Sequence, residues 1–123
     1  KLELYRRFAG LDYGEKDDLL DEIIDRFGEP PEEVEVLWRV ACLRALCRLL
    51  HIRGISVKPG ELRITFAENA AIDPTALMQL ISEQQQYMNF KSGAQAQLIF
   101  RTVKLKTDSL TWLEKNLPRL AFD

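Results

Sequence analysis

One predicted helix, over about residues 15–27, carries the most distinctive set of reactive side chains. Asp18, Asp21, Glu22 and Asp25 recur at i, i+3, i+4 and i+7, so their carboxylates share one helix face. A hard cation needs six or more oxygen ligands, usually from a loop that also supplies carbonyls, and no calcium-loop spacing is present. Three interpretations stay open: a solvated helix face, a docking surface for a basic protein partner, and, as the poorest, a metal site.

Nucleophilic chemistry has few candidates in this sequence. The single histidine, His51, ends a long predicted helix, where a positive side chain is favoured electrostatically. Cys47 lies at i−4 from it, but no orienting group or oxyanion site accompanies the two. No G-x-x-x-x-G-K-[ST] or G-x-G-x-x-G phosphate loop occurs. We therefore expect no enzymatic activity and no cofactor from these residues.

The two cysteines are predicted to be free. Cys42 and Cys47 are five residues apart in one helix, which separates their Cα atoms by roughly 8–9 Å. A disulfide requires less than about 7 Å, and two thiols are too few for a zinc site. The pattern indicates buried free thiols in a reducing cytoplasm.

Charge is distributed unevenly along the 123 residues, whose formal net charge is −2. Residues 1–36 hold 12 acids and 5 bases, and residues 37–123 hold 7 acids and 12 bases. Such asymmetry concerns partners rather than fold. The basic half supports an alternative function, contact with nucleic acid, although Phe66 and Phe100 follow the pattern of core residues rather than of base-stacking platforms. Its candidate residues are Arg63, Lys91, Arg101, Lys104 and Lys106.

Hydrophobic periodicity predicts the order α-α-α-β-β-α-β-α. Residues 1–8 and 15–27 read as helices, and a long helix opens at Pro31 and ends near Gly54. Residues 55–66 alternate as a β-hairpin around Pro59-Gly60. The predicted apolar stripe of the long helix is Val34, Leu37, Trp38, Ala41, Ala45, Leu46, Leu49 and Ile52.

The second half of the chain continues with a helix that Asp73-Pro74 begins and that reaches about Asn89. A third strand follows over residues 96–101, and a last helix is capped by Thr107 or Asp108 and shortened by Pro118. The sequence thus predicts one α+β domain over residues 1–123, with helices on one face of a small, mainly antiparallel sheet. No apolar run approaches the 18 or so residues of a membrane span. The sequence starts within a helical pattern, which suggests a piece of a longer chain.

Three segments give the sequence a family resemblance. They are Lys-Leu-Glu-Leu-Tyr-Arg-Arg-Phe-Ala at 1–9, Glu-Ile-Ile-Asp-Arg-Phe-Gly-Glu-Pro-Pro at 22–31 and Val-Ala-Cys-Leu-Arg-Ala-Leu-Cys at 40–47. Together they resemble the C-terminal domain of bacterial transcription-repair coupling factors. Ile-Thr-Phe-Ala-Glu at 64–68 and Thr-Trp-Leu at 111–113 agree more loosely. The resemblance runs in order along essentially the whole chain.

The resemblance implies a regulatory module in a cytoplasmic, multidomain, ATP-dependent DNA translocase that removes stalled RNA polymerase and recruits UvrA. It implies that this module carries no motor and docks on the UvrB-like module of the same polypeptide. Glu22 and Asp25 match the family motif and would pair with basic side chains there. Asp18 and Asp21 do not rest on the motif and are included only because helix geometry places them on the same face. The connector at residues 10–14 and Pro118 depart from the family pattern.

Overall fold

A computed structural model describes residues 2–123, so of the predicted first helix only Lys1 lies outside the described residues. The chain forms two compact units, Lys1–Leu46 and Cys47–Asp123, whose boundary falls inside the long third helix. Each unit has its own secondary structure and core. The helices are α1 (Leu2–Ala9), α2 (Lys16–Phe27), α3 (Glu32–Leu50), α4 (Pro74–Glu83) and α5 (Ser109–Asn116). The strands are β1 (Ile52–Lys58), β2 (Glu61–Phe66), β3 (Met88–Lys91) and β4 (Gln97–Arg101).

The first unit is helical and packs α1, α2 and the first part of α3 around one apolar cluster. Its buried members are Phe8, Leu11, Leu19, Ile23, Ala41 and Ala45. The indole Nε1 of Trp38 donates to the Lys16 carbonyl at 2.9 Å and so ties α3 to the start of α2. Gly28 ends α2: its φ is 78°, and its N–H donates to the Ile24 carbonyl at 2.8 Å.

The second unit contains a four-stranded antiparallel sheet in the order β1-β2-β4-β3. One face of the sheet is buried, and α5 packs on it with the ring centroids of Trp112 and Phe100 4.8 Å apart. The predicted α+β class and the predicted hairpin are confirmed. The buried sheet residues are Ile52, Leu62, Ile64, Phe66, Met88, Leu98 and Phe100.

Both predicted caps in the second unit are present. The Asp73 carboxylate accepts from the Thr75 N–H at 3.0 Å, and the Asp108 carboxylate accepts from the Thr111 N–H at 2.8 Å. The last α-helix ends at Asn116, and a 3-10 turn containing Pro118 follows it. Among residues 2–123, no helix is long and apolar enough to cross a membrane.

The predicted end of the long helix is wrong. Helix α3 stops at Leu50, His51 takes a left-handed φ of 56°, and Ile52 already belongs to β1, where it pairs with Phe66. Because Ile52 is apolar, it fits both the end of a helix and the start of a strand. Its pairing with Phe66 on β2 decides for the strand. Two residues of the predicted apolar stripe, Leu37 and Leu49, are exposed rather than buried.

The predicted helix to Asn89 is also too long, and the predicted order lacks one strand. Helix α4 ends at Glu83, and Met88 begins β3, where it pairs with Phe100 of β4. The order observed is α-α-α-β-β-α-β-β-α. A short run such as Met88–Lys91 has too little periodicity to be told from a helix end, and its pairing with β4 fixes it as a strand.

Candidate docking site

The acidic ridge, defined as Asp18, Asp21, Glu22 and Asp25, lies on the outward side of α2. Leu19 and Ile23 on the same helix are buried in the core of the first unit. The side chains of Asp18, Asp21 and Asp25 are consequently held at the surface, as the helical spacing predicts. A rigid, packed helix therefore presents three exposed carboxylates on one side.

Glu22 differs from the other three ridge residues because it is paired inside its own unit. Its carboxylate accepts a hydrogen bond from Arg7 Nη1 of α1 and lies 3.8 Å from Arg26 Nη1 one turn further along α2. The Arg7 guanidinium holds the pKa of the Glu22 carboxyl below its ordinary value. Glu22 is half-buried. Because it contacts Arg7 and Arg26, part of the ridge's negative charge is neutralised by the chain's own arginines.

The three aspartates of the ridge have no such partner. Within residues 2–123, Asp18, Asp21 and Asp25 form no ion pair. The neighbouring Asp17, which is not part of the ridge, pairs with Lys16 at 3.2 Å. The charge that can meet an external basic surface is thus concentrated on three aspartates rather than on Glu22.

A cavity of about 430 Å³ lies beside the ridge, between α1 and α2. Its lining includes two arginines, Arg6 and Arg7, and four acids, Asp12, Glu15, Asp18 and Glu22. Both signs of charge are therefore offered at one place. A partner with matched basic and acidic side chains would fit this cavity better than a small ion of either sign.

An exposed aromatic residue adjoins the ridge, and the sequence interpretation missed it. Phe27 has 68% of its surface exposed, and the Arg26 guanidinium lies 5.6 Å from its ring centroid. The available signal was its position in the last turn of α2, directly before Gly28, where the helix leaves the core.

The basic residues of the alternative function separate into two groups. Arg63 lies on β2 and contacts Glu61 at 3.3 Å and Gln97 at 3.0 Å, and Lys91 ends β3. Arg101, Lys104 and Lys106 instead line one cavity of about 540 Å³ in the second unit. The structure thus brings together three of the five predicted residues.

The described residues offer no metal centre and no activated nucleophile. Across residues 2–123, no group of three or more His, Cys, Asp or Glu side chains could hold a metal ion. His51 Nδ1 lies 3.1 Å from the Asn69 carbonyl oxygen, consistent with a structural role. Burial raises the pKa of the Cys47 thiol to about 11, so this group is protonated and a poor nucleophile at neutral pH. Within residues 2–123, Cys42 and Cys47 form no disulfide, and both are half-buried.

Fold and sequence together define the class of this protein. The chain has the fold of a solved crystal structure of the C-terminal domain of a transcription-repair coupling factor, with a TM-score of 0.72, 21% identity, and coverage of 98% of this chain and 80% of that one. The sequence model of the TRCF domain family matches residues 1–77. The chain therefore belongs to the TRCF domain family, which confirms the resemblance.

Full-length relatives agree with this assignment. The transcription-repair-coupling factor of Bacillus subtilis is 37% identical over 83 residues, which are 65% of this chain and 7% of the relative. That of Escherichia coli is 27% identical over 121 residues, which are 98% of this chain and 10% of the relative. The chain thus spans a tenth or less of these relatives and is a transcription-repair coupling factor module.

Proposed function

We propose that this chain is a non-enzymatic regulatory module of a cytoplasmic, ATP-dependent DNA translocase that removes stalled RNA polymerase and recruits UvrA. In this proposal the module docks on the UvrB-like module of its own polypeptide and restrains both activities. Family membership and the three exposed aspartates on the rigid helix α2 support the proposal. The unpaired ridge aspartates are the observation on which the docking role depends.

Asp21 and Asp25 are the first residues to test, because both are exposed and neither is paired within residues 2–123. Asp18 extends the same contact toward the cavity between α1 and α2. Glu22 acts differently in this proposal: bound to Arg7, it keeps α1 against α2 and holds the ridge in place. The predicted role of Glu22 as a direct contact thus becomes mainly a positioning role.

Charge pairs suit a contact that must open. Exposed ion pairs contribute about 0.2–1 kcal/mol each and weaken with salt. Three of them hold a module with only a few kcal/mol, which a second ligand can overcome if it binds the open state better. A large apolar interface would be slower to release, and we therefore expect charge to dominate over Phe27.

The direct experiment measures binding between this chain and the separately purified UvrB-like module of its parent, by isothermal titration calorimetry in 50 and 500 mM salt. We expect binding at low salt that weakens at high salt, and at least tenfold weaker binding by Asp21→Arg plus Asp25→Arg. The matched control is Glu68→Arg, another exposed acid, which lies outside α2. Absence of low-salt binding, or equal losses in variant and control, would contradict the docking role.

A second experiment addresses restraint in the full-length parent. The same Asp21→Arg plus Asp25→Arg variant should raise both UvrA binding and ATP turnover in the absence of RNA polymerase. The Glu68→Arg control should leave both unchanged. A variant that loses docking yet retains basal ATP turnover and UvrA binding would show that docking is not what restrains the protein.

A further inference from the structure

The second unit contains a basic cleft that the docking proposal does not use. The cleft, of about 540 Å³, lies between the end of α4, the end of β4 and helix α5. Five cationic side chains and one acid, Glu83, line it. The cations are Arg101, Lys104, Lys106, Lys115 and Arg119.

Two of the five cations are already engaged within the unit. The Arg119 guanidinium binds both carboxylate oxygens of Glu83, at 2.9 and 2.7 Å. The Arg101 guanidinium donates to the Gln86 carbonyl and lies 5.9 Å from the centroid of the Tyr87 ring. The only acid of the cleft is therefore paired with Arg119, and Arg101 is held in a fixed orientation.

The three lysines of the cleft are not held in ion pairs, although Lys115, after the Arg119 guanidinium, also helps to lower the pKa of the Glu83 carboxyl. Within the part of the chain that the structure describes, Lys104, Lys106 and Lys115 form no ion pair. Like charges that share one cleft repel one another, and an anionic ligand stabilises a cluster of this kind. The cleft therefore has the charge of a polyanion site.

The aromatic rings at the cleft distinguish between possible polyanions. The rings of Phe100 and Trp112 pack against each other at a tilt of 34° and are buried, and Tyr87 is half-buried beside Arg101. No fully exposed ring is offered on which an unpaired base could stack, which single-strand binding sites require. An acidic peptide would also lack an exposed aromatic anchor of the kind that dominates protein interfaces.

We infer that this cleft contacts the phosphate backbone of duplex DNA through Lys104, Lys106 and Lys115, without reading sequence. Flexible ammonium groups suit this task, since each can meet a phosphate as a point charge. The site is independent of the acidic ridge, so it stands even if the docking role fails.

The test measures fluorescence anisotropy of a labelled 20-base-pair duplex titrated with the 123-residue chain from 50 to 200 mM salt. With three phosphates contacted, log K should fall against log salt with a slope of about −2.7, roughly a 40-fold loss over this range. Lys104→Ala plus Lys106→Ala should reduce the slope to about −0.9. Lys104→Arg plus Lys106→Arg should retain binding, since charge is retained.

The matched control is Arg53→Ala plus Lys58→Ala, which removes two exposed cations of β1 that do not line the cleft. It should lower affinity less than twofold, with folding of every variant checked by circular dichroism. Three results would overturn the inference: no duplex binding at 50 mM salt, equal losses in variant and control, or tighter binding of poly-glutamate or single-stranded DNA than of the duplex. The last result would assign the cleft to an acidic protein or to unpaired bases instead.

Discussion

Arg7 and Glu22, which are 15 residues apart in the chain, form an ion pair that joins α1 to α2. The same contact raises the pKa of the Arg7 guanidinium and lowers the pKa of the Glu22 carboxyl. The two side chains are 42% and 40% exposed, so solvent screens the pair and its contribution to stability is small. Its importance is geometric, because it engages the Glu22 carboxylate and leaves the aspartate carboxylates of the ridge for contact with a partner.

Removal of Arg7 should return Glu22 toward ordinary behaviour. In Arg7→Ala, the Glu22 pKa should rise toward the ordinary value of a glutamate, measured by NMR titration of the side-chain carbonyl carbon. Because the folded-state pKa is lowered, this pair contributes stability above the unfolded pKa and loses it as pH falls through the folded value. Lys16→Ala is the control, since Lys16 pairs with Asp17 instead. An unchanged Glu22 pKa in Arg7→Ala would contradict the pairing.

The thiol of Cys47 should react slowly although it is not fully buried. Its pKa of about 11 leaves very little thiolate at pH 8, where a free cysteine with pKa near 8.5 is roughly one-quarter ionised. In Cys42→Ser, we expect a disulfide reagent to modify Cys47 at least tenfold more slowly than free cysteine does, with full reactivity restored in urea. Equal rates for the folded and unfolded protein would rule out burial as the cause.

His51 should be replaceable only by residues that tolerate a left-handed backbone. Its φ of 56° is unfavourable for β-branched side chains, whereas asparagine adopts this region more readily. We expect His51→Val to lower the free energy of unfolding by about 1–2 kcal/mol and His51→Asn to change it by less than about 0.5 kcal/mol. Urea denaturation measures both. Equal effects would mean that the contact with Asn69, not the backbone, determines the cost.

The contact between the rings of Phe100 and Trp112 should be a main source of stability in the second unit. Trp112→Ala removes a buried ring and leaves a cavity against the sheet, which costs about 3–5 kcal/mol. Val103→Ala, at a side chain that is 70% exposed, is the control and should change stability by less than about 0.5 kcal/mol. Chemical denaturation followed by circular dichroism tests both, and a loss below 1 kcal/mol in Trp112→Ala would contradict this packing.

Local sequence signals predicted the elements that depend on neighbouring residues. The helical spacing of the acids on α2, the caps at Asp73 and Asp108, and the hairpin around Pro59-Gly60 all lie within a few residues of their cause. Each signal acts through backbone geometry or a capping hydrogen bond over one helical turn or one β-turn. These features were therefore available without the tertiary structure.

Long-range contacts decided what the sequence pattern left ambiguous. Ile52 and Met88 became strand residues because partners on β2 and β4 pair with them, and nothing in their own neighbourhood specifies that pairing. The helix period of α2 alone placed four carboxylates on one face. Only the packing of α1 against α2 brought Arg7 to Glu22 and left the aspartates unpaired within residues 2–123, because an ion pair depends on distance in space rather than on spacing in the chain.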